Sequence, residues 1–143
     1  MTQFHSGAIG ITAQAKADLG DYQYHFVKSE GPASGSVNMV NVGSAGSAPY
    51  PMGVLQNDPK VDGAADVAML GPTLLRVNAA GSTIVQGTFL VCGSDGHGEP
   101  LQYAATLAGS SQNANAVSLG YTTGDGVLIE VWANMHICAT SGS

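Results

Sequence analysis

The sequence predicts an all-β chain: a small β-barrel or β-tulip-like domain of short strands, preceded by an extended N-terminal arm. Three observations carry that expectation. Glycine and proline, 20 and 6 in a chain of 143 residues, punctuate the sequence at short intervals, as turns between short strands require. Between them lie runs of Val, Ile, Leu and Tyr that alternate with polar residues, and no stretch of ten residues carries a helical apolar period. Charged residues are only 10% of the chain where about a quarter is usual, so the solvent faces of these strands are neutral, built from Ser, Thr, Asn, Gln and Gly.

The length fits one domain with a real core. Residues 1–20 read as an N-terminal arm or edge strand, in which Ile9 and Ile11 alternate with Gly10 and Thr12 and Ala13–Leu19 has room for one or two helical turns. Residues 21–143 read as a single β-domain. Its first strand is Tyr22–Lys28, with Tyr22, Tyr24 and Phe26 on one face and Gln23, His25 and Val27 on the other. A loop over Ser29–Ser36, a strand over Val37–Val42 and a second loop over Gly43–Tyr50 follow. Met52–Leu55 is then a short apolar run that stops on Gln56, Asn57, Asp58 and Pro59. It reads as a buried strand entering a fixed corner, with the returning strand over 64–70. Asn57 and Asp58 set that corner and Pro59 locks it. Gly71-Pro72 separates the next strand, Thr73–Asn78. Ser82–Cys92 holds two β-rich pieces with a bulge or corner at Gly87. Gly93–Pro100 is a turn, Leu101–Ala105 a short strand and Leu107–Asn115 a polar loop. The last pair is Ala116–Thr123 and Val127–Ile137. In that final strand Val127, Ile129, Val131, Ala133, Met135 and Ile137 share the core face; Leu128, Glu130, Trp132, Asn134 and His136 share the other.

Composition also removes function classes. The net charge is −6 and the four basic residues, Lys16, Lys28, Lys60 and Arg76, are dispersed. Phosphate backbones and anionic membrane surfaces are bound through clustered Lys and Arg, so direct nucleic-acid binding and membrane binding are not expected. No basic-then-apolar leader opens the sequence and no apolar run approaches the ~20 residues of a spanning helix. The expected place of synthesis is a cytoplasm, and Cys92 and Cys138 are expected as free buried thiols rather than a disulfide.

Candidate chemistry is sparse. Asp95, His97 and Glu99 alternate in Asp95-Gly-His-Gly-Glu99 and would point one way if extended, as metal ligands would. The same residues make an ideal turn, and one short loop rarely completes a coordination sphere, so the turn reading is preferred and no metal, cofactor or catalytic residue is expected. His5, His25, His97 and His136 have no catalytic spacing. Gly43-Ser-Ala-Gly46 lacks the register of a nucleophile elbow, and no phosphate-binding loop is present. The chain is therefore not expected to be an enzyme. Trp132 and Tyr121 are candidate platform aromatics for a sugar, but packing or a subunit interface is the simpler use of a single aromatic on a patterned strand.

A set of ordered motifs adds to this reading. Gly53-Val-Leu-Gln-Asn-Asp-Pro59 and Asp62-Gly-Ala-Ala-Asp-Val-Ala68 are followed by a strand ending near Val77 and by Ile84-Val-Gln-Gly-Thr-Phe-Leu90. The Ser94-Asp-Gly96 turn, Gly120–Gly124 and Leu128-Ile-Glu-Val131 close the series. In this order and spacing, over roughly residues 50–133, the chain resembles the head decoration, or capsid cement, proteins of tailed bacteriophages. It departs from them before residue 50, where it is longer, and after Met135. The resemblance implies a structural virion protein, made in the host cytoplasm, that binds the outside of an assembled capsid and stabilises it by bridging major capsid subunits. It implies homotrimers at three-fold or pseudo-three-fold positions, with the major capsid protein as partner. The residues expected at a capsid or subunit interface are Phe4, Ile9, Ile11, Tyr22, Tyr24, Phe26 and Trp132. The competing expectation is a glycan- or host-surface-binding β-module, displayed on a virion or secreted, which would use the loop over 93–100.

Overall fold

The computed structural model describes residues 7–31, 38–43, 51–101 and 111–140, with the backbone alone at 111–113 and 136–140. Every regular element among them is a strand: β1 (Ile9–Ala15), β2 (Phe26–Ser29), β3 (Met39–Val42), β4 (Pro51–Leu55), β5 (Ala64–Asn78), β6 (Phe89–Cys92), β7 (Gly98–Pro100), β8 (Ser111–Ser118) and β9 (Asp125–Thr140). The all-β expectation holds, and the sheet closes on itself as a barrel does. Its order is β1-β3-β2-β4-β5-β7-β6-β8-β9, and additional pairings join β1 to β5 and β5 to β9. Those two closures make two rings with β5 in both. The ring β1-β3-β2-β4-β5 uses the first half of β5, where Thr12 faces Asp66 and Val54 faces Ala68. The ring β5-β7-β6-β8-β9 uses the second half, where Trp132 faces Pro72 and Gly98 faces Val77.

Each ring has its own core. Ala13, Ala15, Leu19, Val27, Val40, Leu55, Ala65 and Val67 fill the first. Phe26, Val54, Leu75, Val77, Ile84, Leu90, Ile129, Val131 and Met135 belong to the second. Neighbouring residues on β2 and β4 fall into different cores: Phe26 and Val54 into one, Val27 and Leu55 into the other. All four are fully buried. The pair β2–β4 is thus a wall with a core on each side, because successive strand residues point to opposite faces. That is why Met52–Leu55 reads as a continuous apolar run rather than an alternating one.

A small polar network spans the space between the cores. The buried Gln56 amide donates to Thr73 Oγ1 (2.8 Å) and Val54 O (3.0 Å), its backbone N–H donates to Asp66 O (2.7 Å), and its carbonyl accepts from Gln23 Nε2 (2.9 Å). Asn57 closes the β4–β5 corner: its Nδ2 donates to Ala64 O (2.9 Å) and its Oδ1 accepts from Asp66 N–H (3.0 Å). Pro59 O accepts the Leu19 N–H (2.9 Å). Asp58 is exposed and Pro59 buried.

Several elements differ from the sequence reading, each for a physical reason. Tyr22–His25 is a turn, not a strand: the Tyr22 carbonyl accepts the His25 N–H (3.0 Å) and Tyr24 takes φ of 64°, a left-handed conformation that ends strand alternation. The expected common face of Tyr22, Tyr24 and Phe26 therefore does not exist. Residues 64–70 and 73–78 are one strand of 15 residues, paired to β9 from Leu70 onward. The Arg76 N–H points away from β9, to Tyr24 O (2.8 Å). At a period of two, the N–H that Pro72 lacks would point the same way, so the proline removes nothing from the β5–β9 ladder. Ser82–Gly87 contributes only an isolated bridge, Ile84 to Thr122, and Gly87 is a turn residue with φ of 93°. Ser111–Asn115, expected in a loop, belongs to β8; the expected strand Leu101–Ala105 lies, beyond Leu101, outside the described residues. The segment expected as an arm or edge strand forms β1, which pairs antiparallel to β5 from Ile9 to Gln14 and parallel to β3 only at Gln14 and Ala15.

Candidate functional site

The expected interface residues separate into three groups. Phe4 lies outside the described residues. Phe26 is fully buried in the larger core, while Ile11 and Tyr22 are half-buried against the smaller one. For Phe26 this corrects the expectation of a surface anchor: at Phe26, Val27, Val54 and Leu55 the β2–β4 wall has a core on each side and neither face meets solvent. Ile9 and Trp132 are exposed, at 67% and 45%. Tyr24 sits half-buried at the edge of a depression of 270 Å³ that it shares with Gly20, Asp21, Gln23, Arg76 and Leu128.

Ile9, Trp132 and the Tyr24 depression lie on or beside one surface, the outer face of β5 and β9. Ile9 faces Leu70 across β1–β5, Leu70 faces Asn134, Pro72 faces Trp132, Leu74 faces Glu130 and Arg76 faces Leu128 across β5–β9, and Trp132 also faces Val117 on β8. Directly opposed residues of paired strands share a face. Their inward neighbours Thr73, Leu75, Ile129, Val131 and Ala133 are buried, whereas Leu70, Leu128 and Trp132 are among the exposed large apolar side chains of the chain. This face is mixed: Ile9, Leu70, Pro72, Trp132, Leu74 and Leu128 are apolar, and Asn134, the exposed Glu130 and Arg76 stand among them. The Arg76 Nη1 donates to Gly126 O (2.6 Å). None of the carboxylates among the described residues lies within ion-pair distance of it; the lysine–carboxylate pairs found are Lys16–Glu30 and Lys60–Asp18.

Leu70, Pro72, Arg76 and Leu128 were not singled out in the sequence. The signal was there as alternation over Leu70, Pro72, Leu74 and Arg76, but the dipeptide Gly71-Pro72 breaks the reading into two short strands and hides it.

The loop after β6 is a structural hairpin. Gly96 O accepts the Phe26 N–H (2.7 Å) and His97 O accepts the Gly93 N–H (2.7 Å). His97 packs edge-on against His25, ring centres 4.6 Å apart, and His25 against Tyr22 at 5.3 Å. Asp95 Oδ1 is 2.7 Å from His97 Nδ1, although Nδ1 makes no hydrogen bond of good geometry, and Asp95 Oδ1 also accepts the His97 N–H (3.3 Å). Partial burial pushes the Asp95 carboxyl up, and its contacts to His97 outweigh that and hold it below the usual carboxylate value. Burial holds His25 below the usual histidine value, with His97 and Arg76 adding to the effect against hydrogen bonds to Gln23 and Tyr22. Among the described residues no group of three His, Cys, Asp or Glu is placed to hold a metal ion. Tyr121 is exposed in the bend after β8 and makes no ring contact with Trp132. Cys92 is a free buried thiol, pushed up to about 12 by desolvation and the nearby Asp95 and Glu99; its Sγ donates to Gly93 O (3.3 Å). Cys138 is placed on β9 by its backbone only.

The fold defines a class: a small all-β, barrel-like domain of two strand rings that share β5. By sequence, no family profile and no curated protein matches the chain. By structure, it is similar to the head fiber gp8.5 N base of bacteriophage phi29, with a TM-score of 0.57 at 18% identity, over 90% of this chain and 95% of that one. At that identity the likeness is one of fold.

Proposed function

We propose that this chain is a structural virion protein of a bacteriophage that binds the outside of the assembled head. The observation that carries the reading is the whole-chain fold match to a head fiber base, which spans nearly the full length of both proteins. The ordered motifs over residues 50–133, which resemble phage head decoration proteins, point to the same part of a virion. The physical character of the surface agrees. A shell presents many copies of each site, so a modest interface repeated over the lattice suffices, and the mixed outer face of β5 and β9 supplies one without a charged patch. In this reading the partner is the major capsid protein, the chain bridges neighbouring capsid subunits, and it acts as a homotrimer at three-fold or pseudo-three-fold positions. No catalytic role and no cofactor is assigned.

The test is sedimentation of the purified chain with heads assembled without it. The reading expects the chain to pellet with the heads at a fixed, saturable ratio and to raise the temperature at which the heads open. A chain that stays in the supernatant at saturating concentration rules it out. Native mass of the free chain checks the trimer separately.

A further inference from the structure

β8 and β9 run on together past the ladders that tie them to β6 and β5. β9 faces β5 as far as Asn134, opposite Leu70. It parts from β5 there for a geometric reason. A strand has two edges, and from Leu70 back toward Ala64 both edges of β5 are taken: Ala68 faces Gly10 of β1 and Val54 of β4, and Val67 faces Ile11 and Leu55. β8 parts from β6 in a similar way. β6 faces it at Val117 and Ala116, and the N–H of Cys92, the last residue of β6, goes to the Asn115 side chain (3.1 Å). Beyond these points the two strands form a ribbon in which Ser111 faces Thr140, Gln112 faces Ala139, Asn113 faces Cys138 and Ala114 faces Ile137. Among the described residues no third strand pairs with either edge of this ribbon. Four residues at ~3.3 Å each make an edge of about 13 Å.

Two strands alone are marginal in water. An unpaired edge is also a template for another strand, and proteins usually guard it with charged side chains or proline. This ribbon carries no such guard: residues 111–118 and 131–140 contain no Asp, Glu, Lys, Arg or Pro. We propose that the ribbon is where copies of this chain join, the β9 edge of one copy adding as a strand to the β8 edge of the next. Main-chain hydrogen bonds supply the contact in this mode, without charge. Two features favour a second copy over a different partner. The chain carries −6 overall, so its copies repel one another, and two uncharged arms let them meet without opposing like charges. The two edges of the ribbon also belong to different strands, so joining one to the other is a head-to-tail contact, which closes into a ring. Three copies give six strands in that ring and leave no edge open. The proposal rests on the homotrimer in the reading above and names the element that makes it.

The experiment measures self-association of the free chain by sedimentation equilibrium, for the wild type, Gln112→Pro, Ala139→Pro and Val61→Ser. Proline removes a ladder donor from one strand of the ribbon in each of the first two; Val61 is exposed in the turn before β5. Circular dichroism and thermal melting establish that each variant is folded. The wild type is expected to trimerise, Gln112→Pro and Ala139→Pro each to raise the dissociation constant about tenfold or more, and Val61→Ser to leave it unchanged. Hydrogen exchange of the wild type reads the same contact without a substitution and decides if the proline variants do not fold. Dilution below the dissociation constant should speed exchange of the amides at 111–114 and 137–140 and leave those at 73–77 in β5 slow. Folded proline variants that trimerise as the wild type does overturn the proposal. So does exchange at the ribbon that is equally slow at both concentrations, which would mean that its edges are covered within one chain. A wild type that stays monomeric at every concentration overturns both this proposal and the homotrimer, while head binding is decided separately by sedimentation with heads.

Discussion

Three side chains illustrate how burial decides use. Phe26 belongs to a wall with a core on both sides, so Phe26→Ala should cost about 3–5 kcal/mol of stability, the range for a large core truncation, as read by chemical denaturation. A loss of head binding without that destabilisation would contradict its placement. His25 is disfavoured from taking up a proton by burial, with His97 packed edge-on against it. Its folded value lies below the ordinary 6.5, so on acidification the unfolded chain takes up the proton first. Stability is therefore full above about pH 6.5 and is lost as pH falls through the folded value. The melting temperature should be level from pH 7 to 8 and decline below 6.5, and the decline should be shallower in His25→Gln. Cys92, pushed up to about 12, has almost no thiolate at neutral pH. A thiol reagent should modify it only when the chain is unfolded, on the timescale of global opening; rapid labelling of Cys92 in the native protein would show that the second core is open.

At the scale of elements, what the sequence showed and what it hid have identifiable causes. β9 was legible because one side of it is core and the other is surface: Ile129, Val131, Ala133 and Met135 are buried as the alternation requires, whereas Val127, expected on the same face, is exposed at the strand's start. β4 and the corner at Asn57–Pro59 were legible because an apolar run meets turn-forming residues there. β5 was split on the page because Gly71-Pro72 usually ends a strand; it continues because the missing proline donor faces away from β9. The first part of β8, Ser111–Asn115, reads as a loop because Asn113 and Asn115 are polar, yet the buried Asn115 side chain accepts the Cys92 N–H (3.1 Å) and donates to Met135 O (3.2 Å). It serves as a backbone surrogate where the β8–β9 register shifts. Tyr22–Phe26 was misread because three aromatics at a spacing of two mimic a strand face, and nothing local announces a left-handed tyrosine. The tightest strand contact is at Gly53, where an added Cβ would lie 2.5 Å from the Ala68 carbonyl oxygen. Gly53→Ala should therefore force β4 and β5 apart and cost about 1–3 kcal/mol, the range for overpacking, measured by the shift in denaturant midpoint.

For the whole molecule, the two rings share β5 and both use the β2–β4 wall, so neither core can form with the other absent. Thermal unfolding should be a single transition by fluorescence and by circular dichroism, and Val27→Ala in one core and Leu90→Ala in the other should lower the same midpoint. The outer face of β5 and β9 was the least legible part of the molecule, because it is assembled from β1, β5, β8 and β9, which are far apart in the chain. The central claim, that this domain sits on the outside of a phage head, is tested most directly by electron cryomicroscopy of heads incubated with the purified chain. The account predicts added density on the outer surface at regular lattice positions, fitted by the double-ring domain. Heads with no added density, or with density confined to the interior or the tail vertex, would contradict it.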